Sequence, residues 1–459
     1  MKTSITYFRI AIGITVFFHS ITVDLVAQES GGWKAGVAKT VITPSEPIWM
    51  AGFGSRNKPS EGVRLDIYVR AVALQDVVNK PSVLVTLDLA GIEREMADAM
   101  AERCRKEFGL TRDRLVLNIS HTHSGPVAGL VPMPLYDLEP AQRETVRRYT
   151  NDLIDKTVRT VGQAIQGLAP AKLEFGQGLA GIAVNRRRDR LRSLPGPVDQ
   201  DVPVLAIRGQ DGSLLSVVVG YAAHATALSD YLISGDWPGF AVAEIEKRHP
   251  GTTALFVQGC GADANPLPRR DEKLARNYGE ILAYAVEEVL RGRMATLEGP
   301  LRTAFELVDV PFHEVPTRED LQRRLNDKNV FIRRHAKRLL AELDRDGKLP
   351  VSYPYPVQIW QFGRGLKFIA LGGEVVVDYS LRLKNEFGFD HTWVAGYSND
   401  ILAYIPSLRV LKEGGYEGGG AMIYFGRPGP FGAAVEEIIV EKVHDLVERT
   451  SASVQGKAK

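Results

Sequence analysis

Cysteine is nearly absent from this chain: Cys104 and Cys260 are the only two in 459 residues. Two thiols do not make a disulfide framework. With Cys104 on a predicted helix and Cys260 in a glycine turn, both are expected to be free and partly buried. Histidine is scarce too, at nine residues, so three of them in two short stretches carry weight. Charge of either sign is not in excess, with 57 Lys+Arg against 55 Asp+Glu, which removes the electrostatic basis for nucleic-acid binding. The densest basic run, Arg186-Arg187-Arg188-Asp189-Arg190-Leu191-Arg192, has no interleaved aromatics and reads as a solvated loop carrying one functional arginine. Beyond the N-terminal segment no apolar run is long enough to span a bilayer. A His-Glu-x-x-His helix, a Gly-x-Ser-x-Gly elbow and the Lys-Ser/Thr of a P-loop are all missing. The familiar metalloprotease, serine-hydrolase and nucleotide-loop routes are thereby closed.

The first segment is a processing signal in its composition. Lys2 and Arg9 lead an apolar stretch from Ile10 to Val23, followed by Leu25-Val26-Ala27-Gln28. We read residues 1–27 as a signal peptide, which predicts a secreted or periplasmic, extracytoplasmic protein without a transmembrane span. Leu25 makes the cleavage site imperfect and leaves an uncleaved anchor as the alternative. Strand and helix signals then alternate. Tyr68–Gln75 and Ser82–Asp88 predict a hairpin about Asn79-Lys80-Pro81, and Leu115–Ile119, Val204–Arg208, Leu215–Tyr221 and Ala254–Gln258 predict further strands. Helices are predicted at Arg94–Phe108, Pro140–Ile165, Pro238–Arg248, Glu272–Arg291, Val375–Lys384 and Ala433–Glu448. The fold class is α/β, with mixed β-sheets flanked by helices. One catalytic domain over 33–450 is expected, with a charged helical insertion at 317–346 and a disordered tail at 451–459.

His121 and His123 in Ser120-His121-Thr122-His123-Ser124-Gly125-Pro126, and His224 in Tyr221-Ala222-Ala223-His224, each follow a predicted buried strand. On an extended segment residues two apart share a side, so both rings of His-x-His can reach one centre. The pair alone is more often structural than metal-binding; strand-end positions and the third imidazole favour a divalent-metal site. Glu374, after Gly372-Gly373, is the best candidate carboxylate, although a helix-start glutamate favoured by the dipole explains it equally well. The turn Gln258-Gly259-Cys260-Gly261-Ala262-Asp263-Ala264-Asn265-Pro266 can offer backbone N–H groups to an oxyanion. Gly176-Gln177-Gly178-Leu179-Ala180-Gly181 matches a dinucleotide fingerprint but leads into no helix and is dismissed.

These segments together resemble the catalytic domain of the neutral/alkaline non-lysosomal ceramidase family. The resemblance runs from about Trp33 to about Thr450, through Gly36-Val37-Ala38-Lys39, Asn118 to Pro126, Asn185-Arg186, His224-Ala225-Thr226, Ser234-Gly235-Asp236, Gly372-Gly373-Glu374, Tyr397-Ser398-Asn399 and Tyr416-Glu417-Gly418. It implies one zinc ion held by His121, His224, Glu374 and Tyr404. His123, Arg186 and Tyr416 are then substrate-facing catalytic residues, and Asp236 a partner for a ligand histidine. The implied reaction is zinc-dependent hydrolysis of the N-acyl (amide) bond of ceramide or a related N-acylated lipid by an activated water. The implied partners are that amphiphile and, through it, a membrane surface.

Two departures qualify the substrate. Where the family carries a serine before the proline of the glycine turn, this sequence has Asn265. The family's C-terminal β-sandwich domain also has no counterpart in it. An exported zinc esterase, lactonase or amidase acting on a more polar substrate is therefore the second reading, and a non-catalytic ligand-binding protein the third.

Overall fold

The computed structural model describes residues 32–78, 80–129, 134–187 and 196–452. The signal segment 1–27, Asn79 of the hairpin turn, the arginine run from Arg188 onward and the end of the tail from 453 lie outside them. Residues Gly31–Lys459 form one compact unit by their contacts.

Eight strands make the main path of a nine-stranded sheet: β1 (Trp33–Val41), β2 (Tyr68–Gln75), β3 (Ser82–Leu87), β4 (Leu115–Ile119), β5 (Ala169–Leu179), β6 (Asp201–Gly209), β7 (Leu214–Tyr221) and β8 (Thr253–Gln258). Their order is β8-β7-β6-β5-β1-β2-β3-β4, and the short strand Ala295–Thr296 pairs with β5 off this path. The interior pairings are antiparallel, whereas the outermost pairs, β3 with β4 and β7 with β8, are parallel. A second, four-stranded sheet has the order β9 (Leu301–Pro311), β10 (Ser352–Phe362), β11 (Leu366–Leu371), β12 (Thr392–Ala395). The predicted mixed α/β class is thus the observed one.

Side-chain alternation sets the layers. Val83, Val85 and Leu87 of β3 face a helix layer made by α1 (Arg94–Phe108) and α2 (Pro140–Gln166), while Leu84 points the other way. On β7, Val217 and Val219 face α3 (Asp236–Arg248) and α4 (Glu272–Arg291), and Val218 joins Leu84. Leu84, Val116 and Val218 meet Trp360, Phe368 and Trp393 of the second sheet in a buried seam. The outer face of that sheet is covered by α7 (Val377–Phe387) and α8 (Val435–Ala452), giving four layers, helix–sheet–sheet–helix. Each fully buried Val or Leu in these seams contributes about 1.5–3 kcal/mol. Both cysteines are buried and free, as expected.

The large sheet curls until its two edges meet. Asn118 of edge strand β4 accepts from the Gln258 N–H of edge strand β8 at 2.8 Å, and its Nδ2 donates to Gly396 O at 2.8 Å and Ser398 Oγ at 3.1 Å. Beyond this stitch the two parallel edge pairs present their C-terminal ends side by side. Thr122 bridges Ala225, and the His123 N–H donates to Ala225 O at 3.0 Å.

Several expectations are corrected. The final helix runs to Ala452, so positions 451 and 452 belong to it and not to a tail. The insertion is two helices, α5 (Arg318–Arg324) and α6 (Val330–Asp346), with the Phe331 ring against Tyr424 at 5.1 Å. Gly176 and Gly178 lie in strand β5, where a Cβ would come within 2.8 Å of Val289; close packing of α4, not a ligand, explains them. Among the described residues no helix is long and apolar enough to cross a membrane.

Candidate metal centre

His121 leaves β4 with a left-handed backbone (φ 54°), a costly conformation for a residue with a Cβ. The extended His-x-His geometry predicted from spacing is therefore absent. A kink at His121 turns both rings inward, and their Nε2 atoms lie 3.1 Å apart. The His121 Nδ1–H donates to Ala90 O at 2.6 Å, and the Tyr397 ring lies 4.6 Å away. His224 is fully buried beyond β7, its Nδ1–H donating to Gly261 O at 2.8 Å.

This last contact reassigns the glycine turn. Three of its N–H groups are already engaged: Gly259 on Tyr221 O, Gly261 on Gly259 O, and Ala262 on Val375 O. They are not free to bind an oxyanion. The turn approaches so closely that a Cβ on Gly261 would come within 2.6 Å of Ala223 N, and its carbonyl aims His224.

Glu374 and Tyr404 arrive from the second sheet. Glu374 does not begin a helix, as sequence allowed; it forms a two-residue parallel bridge in which Glu374 pairs with Tyr404 and Val375 with Ile405. Gly373, at φ 75°, makes the turn into that bridge. Glu374 Oε2 stands 3.2 Å from His121 Nε2 and 3.1 Å from His224 Nε2, and the Tyr404 hydroxyl is 3.2 Å from His224 Nε2.

Proton accounting tests whether a cation fits. With Nδ1–H of His121 and His224 committed to carbonyls, each ring in its neutral form turns a lone pair inward at Nε2. Both Nε2 atoms face the buried Glu374 Oε2. Two imidazole nitrogens and a carboxylate oxygen converging in this way fit a divalent cation, and nitrogen with carboxylate donors suit zinc. Burial, with Arg186 next, lowers the His224 pKa to about 4, so the ring is neutral at pH 7. The imidazole nitrogens of His121, His123 and His224 that could bind a metal lie within 4.8 Å of one another.

Arg186 spans the centre's outer side, its Nε on Glu417 Oε1 at 2.8 Å and an NH2 donating to the Tyr404 hydroxyl at 3.1 Å. Its guanidinium lies over the rings of Tyr404 and Tyr416. Two clefts meet here. One is mostly apolar and includes Ala51, Ile92, Val127, Leu135, Ile401 and Phe425 beside His121 and Glu374. The other is polar and contains Arg186, Asn265, Arg269 and Arg270. His123, Tyr404 and Tyr416 line both.

Asp236 touches no histidine. Its carboxylate accepts the N–H groups of Ala227, Leu228 and Trp237, while the Trp237 indole donates to His224 O at 2.9 Å. It fixes the loop after His224 and not the ring. Sequence reasoning missed Gly52 and Arg56. A Cβ on Gly52 (φ 96°) would come within 2.4 Å of the His123 ring, and Arg56 clamps the carbonyls of His123, Ala51 and Asp230. Neither position carries a motif; only the glycine pair Gly52 and Gly54 hinted at a close approach.

Fold and site define a mixed α/β protein whose edge strands and second sheet gather donors suited to one divalent cation. Residues 33–265, about half of the chain, match the model of the neutral/alkaline non-lysosomal ceramidase N-terminal region. The neutral ceramidase of Pseudomonas aeruginosa is 24% identical over 91% of this chain and 72% of its own length. Neutral ceramidase A of Dictyostelium discoideum is 24% identical over 56% of this chain and 39% of its own length. The crystal structure of the Pseudomonas aeruginosa neutral ceramidase superposes with a TM-score of 0.74 at 19% identity, covering 92% of this chain and 75% of that one. A ceramidase complexed with C2 gives 0.71 at 19% identity, covering 91% and 76%. The chain belongs to the neutral/alkaline non-lysosomal ceramidase family.

Proposed function

We propose that this chain is a zinc-dependent amidohydrolase that cleaves the N-acyl bond of ceramide or a related N-acylated lipid outside the cytoplasm. The observation that carries the reading is the approach of His121 Nε2 and His224 Nε2 to within 3.2 Å of Glu374 Oε2, with both Nδ1 protons directed away. Family membership supports the reaction class, and the apolar signal-like segment at 10–23 supports export.

His121, His224, Glu374 and Tyr404 hold the ion. Zinc bound there lowers the pKa of water towards about 7 and polarises the scissile carbonyl. The remaining roles fall to the chain's own side chains. The apolar cleft takes the acyl chain, and Leu135, Ile401 and Phe425 exclude water from it. Arg186 and Tyr416, at the junction of the clefts, donate to the carbonyl oxygen as negative charge develops there. Burial, reinforced by His121 and His224, depresses the His123 pKa well below its usual value, so this imidazole is neutral, and negative charge developing on the substrate beside it raises its basicity enough for it to take a proton. Its Nε2 is positioned to pass that proton to the leaving amine. Asn265 lines the polar cleft and donates a hydrogen bond where the family has a hydroxyl.

The test is metal content by mass spectrometry together with hydrolysis of a fluorescent long-chain ceramide, using His121→Ala as control. One equivalent of zinc, with turnover that disappears in the variant, is the expected result. Protein that keeps well under one equivalent, or turnover indifferent to His121→Ala, would overturn the reading.

A further inference from the structure

Among the described residues, the polar cleft carries positive charge that no ion pair neutralises. Two of its arginines are accounted for: Arg186 pairs with Glu417, and Arg187 with Glu413 and Glu417. Arg269 and Arg270 are different. Neither side chain makes an ion pair or hydrogen bond among the described residues, although both line the cleft. The acids close to them in sequence are otherwise engaged, Asp271 as the helix cap on Lys273 and Leu274, and Glu272 on Arg64 and Arg276. Arg270 is held in place by backbone and ring contacts. Its N–H donates to Ala227 O at 2.6 Å, its φ is 79°, and its guanidinium lies 5.6 Å from the Phe53 ring centroid. Burial, with Arg270 and Arg186 adding repulsion that Asp236 only partly offsets, lowers the Arg269 pKa, and an anion bound in the cleft beside these groups relieves that repulsion.

We infer that Arg269 and Arg270 form a head-group subsite for an anion, so that the preferred substrate is an N-acylated amphiphile whose amine portion carries a sulfonate, phosphate or carboxylate. The inference rests on the amphiphile-hydrolase reading above. It adds direction to it: with the tail in the apolar cleft and the amide at the junction, the amine side extends into the polar cleft. Paired guanidinium groups match oxyanion geometry better than a neutral hydroxyl does.

The test is designed to be independent of turnover. Two dodecyl ureas, which mimic the amide and resist hydrolysis, are titrated into zinc-loaded protein by calorimetry; one bears a hydroxyethyl head and the other a sulfoethyl head. The sulfonate is expected to bind at least about tenfold tighter, a difference of about 1.4 kcal/mol. That ratio falls below about threefold in Arg269→Gln/Arg270→Gln and is largely kept in Arg269→Lys/Arg270→Lys. Equal affinity for the two ureas, or a ratio unchanged by the glutamine pair, overturns the subsite. Ethanesulfonate that competes as tightly as the tailed sulfonate assigns the cleft to a free small anion and also overturns it. Because the ureas are not cleaved, failure of the ceramide assay leaves this result legible, and an absent ratio leaves the hydrolase reading untouched.

Discussion

The left-handed backbone at His121 fixes one nitrogen 3.1 Å from His123 Nε2 and 3.2 Å from Glu374 Oε2. Replacing His224 or Glu374 by alanine removes a donor from a set already aimed by carbonyls. Zinc affinity is expected to fall by at least about a hundredfold, beyond the ten- to hundredfold typical of losing an orienting partner, as measured by competition with a chromogenic chelator. The histidines were legible in sequence because each follows a short apolar run that could only be a buried strand end. Tyr404 was legible only through family resemblance. It becomes a neighbour of Glu374 by a parallel bridge thirty residues along the chain (374 to 404), and no local pattern encodes such a pairing. Gly52 and Arg56 were illegible for the same reason, since what they touch lies about seventy residues away at His123.

At the scale of elements, the bridge after β11 depends on Gly373. A Cβ there would come within 2.7 Å of Ile405 and 2.8 Å of Ala403 O, in a backbone conformation that side chains resist. Gly373→Ala is expected to break the Glu374–Tyr404 register and lower zinc affinity about tenfold or more, with helix content by circular dichroism unchanged. Asn118 ties the two edges of the large sheet, so Asn118→Ala strands the Gln258 N–H, while the Gly396 carbonyl keeps the Ser398 hydroxyl. About 1–3 kcal/mol of stability is the expected loss in denaturant unfolding. The insertion helix α6 provides a pH-dependent case. His335 is buried, its Nε2–H donates to Arg427 O at 2.7 Å, and burial lowers its pKa below 6.5. A depressed folded pKa means that the unfolded chain takes up the proton first. The contribution is present above about pH 6.5 and is lost as pH falls below it. His335→Gln is expected to flatten the dependence of the unfolding midpoint on pH below about 6.5.

Across the whole molecule, the two parallel edge pairs and the second sheet converge on one centre. Zinc at a hundredfold excess over its dissociation constant adds about 2.7 kcal/mol to the folded state. Thermal unfolding is expected to remain a single transition that moves upward with zinc, and not to move in His224→Ala. The layers were only partly legible. Runs buried on both faces, such as Ser82–Leu87 and Leu115–Ile119, stand out as continuous apolar stretches. The long strands Ala169–Leu179 and Leu301–Pro311 are half exposed and rich in charge and glycine, so nothing local marked them as sheet.

The proposed ligand set is spread along the chain, two imidazoles by His224 and the remaining oxygen donors only at Glu374 and Tyr404. During synthesis, a ribosome that has completed the family-matched stretch to Asn265 has made half of the assigned ligand set and none of the sheet that delivers the rest. Such a nascent chain can offer a passing ion only a weak two-nitrogen grip. If these residues hold zinc as proposed, firm capture waits until the last third of the polypeptide has emerged and folded back, and acquisition of the metal becomes a timer that reads completion of the molecule.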